Sequence, residues 1–157
     1  MYNSVSIEEV LPNNNKKSKT TQIQTSRMIR DTAMIKKLKN DHEYKCQICE
    51  NRILVDKNPK HYYAEGHHLE PLSLNKNSTK NVDIEENIII LCPNHHIEFE
   101  KHVIAIDISD CETILHINGP KNKFHGKKIK DTDIHSIDRK FITHHYKKFK
   151  RKLRNEK

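Results

Sequence analysis

Apolar residues recur at near-helical spacing over residues 26–40, at Met28, Ile29, Ala33, Met34, Ile35 and Leu38, with no Gly or Pro between them. That spacing predicts a helix. Residues 61–66 read as a short strand, and the polar stretch 73–86 as a loop. Residues 88–91 are Ile-Ile-Ile-Leu, mostly β-branched, and predict a buried strand. Pro93 suits the first turn of a helix running to about residue 101. Residues 103–107 and 113–117 predict a hairpin, followed by a sharp turn at Asn118, Gly119 and Pro120. A last helix is predicted over about 133–154, with Ile134, Ile137, Phe141 and Phe149 on one side and mostly Lys and Arg elsewhere. Residues 1–25, with three asparagines at 13–15 followed by lysines, read as a disordered tail.

Composition narrows this pattern to a small α+β fold. Hydrophobic residues make up 34% of the 157 and there is no tryptophan, so a large core is not expected and a covalent or metal staple is. The expected organisation is a tail over 1–25, a domain over 26–120 that includes the N-terminal helix, and a basic helical extension over 121–157. Residues 121–157 hold 14 Lys/Arg against 4 Asp/Glu, whereas 1–120 hold 15 against 17. Such asymmetry points to a polyanion partner; a solvated basic tail is the plain alternative. No run approaches the ~20 apolar residues of a membrane span and no signal peptide is evident, so the reading is a cytoplasmic chain with no membrane partner.

In that compartment Cys46-X-X-Cys49 reads as metal or redox chemistry. Cys92-X-X-His95 supplies a second knuckle. Together the four are the ligand set of a closed, tetrahedral structural zinc site, leaving Cys111 as an ordinary free cysteine. His67 and His68 are adjacent at a strand end and therefore point to opposite sides, one toward a metal and one toward a substrate; surface histidines are the plainer alternative. His96 and Glu100 are four apart on a predicted helix, so one face carries both within reach of one ion, although for Glu100 alone a solvated carboxylate is the favoured reading.

The order His67-His68, Asn87, His96, woven between two zinc knuckles over residues 40–107, resembles the HNH nuclease family. Leu91-Cys92-Pro93-Asn94-His95-His96 followed by Phe99-Glu100 is similar to the HNH domains of modification-dependent restriction endonucleases. The resemblance implies a ββα-metal core, here stapled by zinc and flanked by helices, and metal-dependent hydrolysis of DNA phosphodiester bonds in restriction or defence. It assigns His68 as general base, Asn87 as the residue holding the loop that orients it, and His67, His96 and Glu100 as ligands of a catalytic divalent ion, with His102 competing for the place of Glu100. A carboxylate with imidazoles suits Mg²⁺, Mn²⁺ or another transition ion. Lys147, Lys148, Arg151 and Lys152 are the expected DNA contacts. A homodimer, through Phe149 and Leu153, and a separate reader subunit are further expected partners. The rival readings are a non-catalytic, zinc-stabilised DNA-binding module, a mobile-element or homing nuclease, and a secreted toxin with an inhibitor.

Overall fold

The computed structural model describes residues 33–72 and 82–155. The expected tail, the beginning of the first helix and most of the 73–86 loop lie outside the described residues. The chain runs through helix α1 (Ala33–Asp41), strands β1 (Ile53–Lys57), β2 (Lys60–Tyr63), β3 (Glu65–His68) and β4 (Ile88–Leu91), and helix α2 (Pro93–Glu100). Strands β5 (Ile104–Ile106) and β6 (Ile114–His116) and helix α3 (Arg139–Asn155) follow. The strands form three antiparallel pairs, β1 with β2, β3 with β4 and β5 with β6.

Strand β4 is buried along its whole length, and its alternating side chains enter two different cores. Ile89 and Leu91 pack with Phe99, Ile104, Ile114 and Phe141. Ile88 and Ile90 pack with Ile35, Leu38 and Ala64 beneath α1. One edge of β4 pairs with β3, setting His67 opposite Ile89 and His68 opposite Ile88. Gln47 approaches β4 as a strand would: its backbone N–H donates to Ile90 O at 2.9 Å, and its Oε1 accepts the Ile90 N–H at 2.9 Å. Gly66, on β3, is the point of closest approach to α1, where a Cβ would lie 2.8 Å from Ile35 Cγ2.

Helix α2 starts after Cys92 with Pro93 in its first turn, where a missing N–H costs nothing. Its end is a Schellman closure: the His102 N–H donates to Phe99 O and the Val103 N–H to Glu98 O, with His102 at φ +53° in the left-handed position usually given to glycine.

Three elements differ from the sequence expectation. The strand expected over 61–66 is divided at Ala64, buried beneath α1, into β2, paired with β1, and β3, paired with β4. Residues 53–57, for which no strand is predicted, form β1; the apolar run Ile53-Leu54-Val55 is the available signal, but every residue of this strand is exposed, so no burial pattern announces it. The last helix begins at Arg139 rather than 133, because Asp138 Oδ1 accepts the Lys140 N–H at 2.8 Å in the manner of an N-cap. Its buried face is Phe141, Ile142, His145 and Phe149, while Ile134 lies outside the helix and exposed. Of the two residues expected at a dimer interface, Phe149 is buried within the single chain and Leu153 is half-buried. Among the described residues no helix is long and apolar enough to cross a membrane.

Gly66→Ala is expected to destabilise the protein by about 1–3 kcal/mol, the usual cost of forcing a methyl group into a packed contact. Urea unfolding monitored by circular dichroism checks this; an unchanged midpoint would show that α1 yields to β3.

Candidate active site and metal centre

Cys46 and Cys49 lie on a turn in which the Glu50 N–H donates to Cys46 O, and Cys92 and His95 on the first turn of α2. One ligand atom from each of the four falls within 4.8 Å of every other. His95 Nδ1 is 3.2 Å from Cys46 Sγ and 3.3 Å from Cys92 Sγ, and Cys49 Sγ is 4.0 Å from Cys92 Sγ. A tetrahedral zinc with Zn–S about 2.3 Å and Zn–N about 2.0 Å holds its ligand atoms roughly 3.5–3.8 Å apart, so the residues fit the ion. Hydrogen bonding with Cys92 raises the Cys46 thiol, and the same bond, with that to His95, lowers Cys92. On the other side of the His95 ring, Nε2 lies 4.0 Å from Glu98 Oε2, and Phe124 packs edge-on at 4.9 Å. Cys111 lies outside the cluster, with Sγ 3.9 Å from Ile108 O.

The pairing of β3 with β4 sends His67 and His68 to opposite faces. His67 turns toward α2, its ring centroid 5.0 Å from that of His96 and 5.7 Å from that of Phe99. Burial, reinforced by His96 and His145, holds His67 well below the ordinary imidazole range, so its ring is neutral, as a metal ligand must be. His96 Nδ1 is 3.1 Å from Glu65 Oε2 yet buried without an aligned hydrogen bond. Two imidazoles and a carboxylate thus meet on this face, although among the described residues it is the Cys46, Cys49, Cys92 and His95 group whose ligand atoms all lie within reach of one ion. Glu100 is one turn beyond His96 on α2, exposed, with its carboxylate 3.6 Å from Lys101 Nζ. His68 faces away from this group, with Nε2 3.1 Å from Asp83 Oδ1.

Asn87 is fully buried and braces the chain on both sides of the gap between β3 and β4. Its Oδ1 accepts the Glu70 N–H at 2.8 Å, and its Nδ2 donates to Glu70 O and Val82 O, each at 2.7 Å. The segment leaving His68 is therefore tied to the segment bearing Asp83.

Three site residues escaped the sequence reading. Glu65 shares a face of β3 with His67, two residues away, a strand-period signal that was available. Asp83 stands outside regular structure, and nothing in its spacing announces it. His145 comes from α3: its ring lies 6.0 Å from that of His67, Nε2 is 2.9 Å from Phe99 O, and burial lowers it to about 4. His102 is placed against His145, Nδ1 to Nε2 at 3.2 Å. On α3, Lys147 and Arg151 are exposed and Lys148 and Lys152 half-buried, with Lys152 Nζ donating to Lys101 O at 3.1 Å.

Residues 46–107 match the family model described as HNH endonuclease. No curated protein matches the chain. The fold is similar to a solved "Modification dependent TagI restriction endonuclease", with 28% sequence identity and a TM-score of 0.60 over 76% of this chain. The match spans 38% of the length of that enzyme.

Cys46→Ser is expected to lose stoichiometric zinc, read by atomic emission, and to melt at least about 10 °C lower, because metal affinity is folding free energy. His68→Ala, outside the cluster, is expected to keep both the zinc and the melting temperature. An equal loss in the two variants would contradict this division.

Proposed function

We propose that this chain, whose residues 46–107 belong to the HNH endonuclease family, is a metal-dependent DNA endonuclease of the restriction or defence type. In this reading β3, β4 and α2 are its ββα-metal core, and zinc on Cys46, Cys49, Cys92 and His95 staples that core. The observation that carries the reading is the division across β3: His67 sits with His96 on one face, and His68 with Asp83 on the other.

His68 is the general base. A neutral imidazole near pH 7 is a competent acceptor of a proton from water. The contact of its Nε2 with Asp83 Oδ1 orients the ring. Asn87 holds the backbone on both sides of this pair and so positions His68. His67, His96 and Glu100 are the residues that would hold the catalytic divalent ion, with Glu65 fixing the His96 ring from its Nδ1 side. Bound there, Mg²⁺ or Mn²⁺ supplies Lewis-acid stabilisation of charge on the scissile phosphate and the leaving oxygen. Lys147, Lys148, Arg151 and Lys152 neutralise backbone phosphates along α3, an affinity that carries no sequence information and falls with salt.

The modification-dependent enzyme similar in fold favours a restriction role over a homing role. A reader of modified bases is a further expected partner in this reading. The alternative of a non-catalytic, zinc-stabilised DNA-binding module has no use for the His67–His96 cluster or for a buried Asn87.

Purified protein is expected to nick or linearise supercoiled plasmid with Mg²⁺ or Mn²⁺. His68→Ala is expected to cut at least about 100-fold more slowly, the lower range of a general-base contribution. Methylated and unmodified plasmid run in parallel test the modification dependence. A folded, zinc-loaded protein that cuts neither plasmid would favour the binding module.

A further inference from the structure

The hairpin β1–β2 is the most apolar exposed feature among the described residues. Ile53, Leu54, Val55 and Tyr63 are 36%, 51%, 53% and 43% exposed, and two others, Ile97 and Ile134, are the remaining large apolar side chains exposed to this degree. Every residue of β1 is exposed, and on β2 Tyr62 is half-buried while His61 lies edge-on to Tyr44 of the body at 6.4 Å. A lone two-stranded ribbon in water is marginal at best, and a concentrated apolar surface of this kind marks an interaction site.

Charge and connectivity identify the occupant. Arg52, Lys57 and Lys60 border the apolar residues against a single carboxylate, Asp56. Arg52 lies over the Tyr62 ring at 3.9 Å, an arrangement that presents a guanidinium beside an aromatic face. The ribbon is continuous with the proposed active site: a single residue, Ala64, separates β2 from β3. Tyr63 Oη donates to Glu65 Oε1 at 2.8 Å, and the other carboxylate oxygen of Glu65 faces His96. An apolar, cation-bordered ribbon fits a groove of duplex DNA, which admits two antiparallel strands, or whose base steps accept an apolar wedge.

We propose that the β1–β2 hairpin is a DNA-groove ribbon, placing Leu54 and Val55 against the bases and Lys57 and Lys60 against phosphates beside the bond to be cut. This rests on the nuclease reading and adds to it a contact surface separate from α3. Tyr63 and Glu65 make the ribbon a rigid continuation of the strand bearing His67, so groove engagement would register the scissile phosphate.

The test is fluorescence anisotropy with a fluorescein-labelled duplex, in the His68→Ala background so that chemistry does not consume the probe. Leu54→Ser with Val55→Ser is expected to weaken binding tenfold or more while melting temperature and zinc content stay unchanged, since both side chains are exposed. Lys57→Ala with Lys60→Ala is expected to lower the slope of log affinity against log salt by about 2, one for each lost phosphate contact. Unchanged affinity in the Leu54/Val55 variant, with the parent binding duplex, overturns the ribbon and spares the nuclease. A dimer of the parent, free of DNA, that the same variant converts to monomer assigns the ribbon to a second copy and likewise overturns it. Failure of both parent and wild type to bind any duplex contradicts the nuclease reading itself.

Discussion

The arrangement of every proposed functional side chain depends on the pairing of β4 with β3. Strand β4 is buried on both faces and supplies one wall to each of two cores, so sliding it by a single residue would exchange Ile89 and Leu91 with Ile88 and Ile90. That slip would also turn the facing histidines, because His67 and His68 are locked opposite Ile89 and Ile88. Gln47 on one edge and β3 on the other satisfy the backbone of β4 and hold this register. The zinc-type cluster fastens the same region from its ends, with Cys46 just before Gln47 and Cys92 just after Leu91. Core packing, polar satisfaction and the Cys/His cluster thus involve the same few residues.

Around this frame the electrostatics are set for cations inside and anions outside. His67 and His145 are buried next to one another and kept neutral, chiefly by burial. Buried neutral imidazoles of this kind are a poor place for protons. On the surface, α3 turns Lys147 and Arg151 to solvent while Phe141, Ile142 and Phe149 bury its other face. The basic helix is therefore packed on the body and charged toward solvent at once, so its lysines stand at a defined distance from the histidine cluster rather than on a free tail.

Much of this was legible in the sequence because it is local. Two-residue spacers bring Cys46, Cys49, Cys92 and His95 together, and the run 88–91 declares a buried strand by its residue types alone. The hairpin of β5 and β6 and the start of α2 at Pro93 follow from equally local signals. What escaped depends on tertiary contact. His145 reaches His67 from a helix 78 positions later, Asp83 meets His68 across the gap before β4, and β1 carries no burial pattern to read. The last helix was extended too far at its N-terminus because Ile134 and Ile137 keep helical spacing, while the Asp138 cap that starts it later is a matter of hydrogen bonding. His102 shows the same limit: the resemblance made it a competitor of Glu100, and the fold sets it against His145.

The most direct test of the division across β3 is a calorimetric titration of Mn²⁺ into zinc-loaded protein, alongside DNA cleavage by the same preparations. Wild type is expected to bind one Mn²⁺ per chain beyond its zinc. His67→Ala and His96→Ala are expected to lose both that ion and cleavage, and His68→Ala to keep the ion while losing cleavage. Loss of Mn²⁺ binding in His68→Ala, or its full retention in His67→Ala and His96→Ala, would contradict the assignment of the two faces.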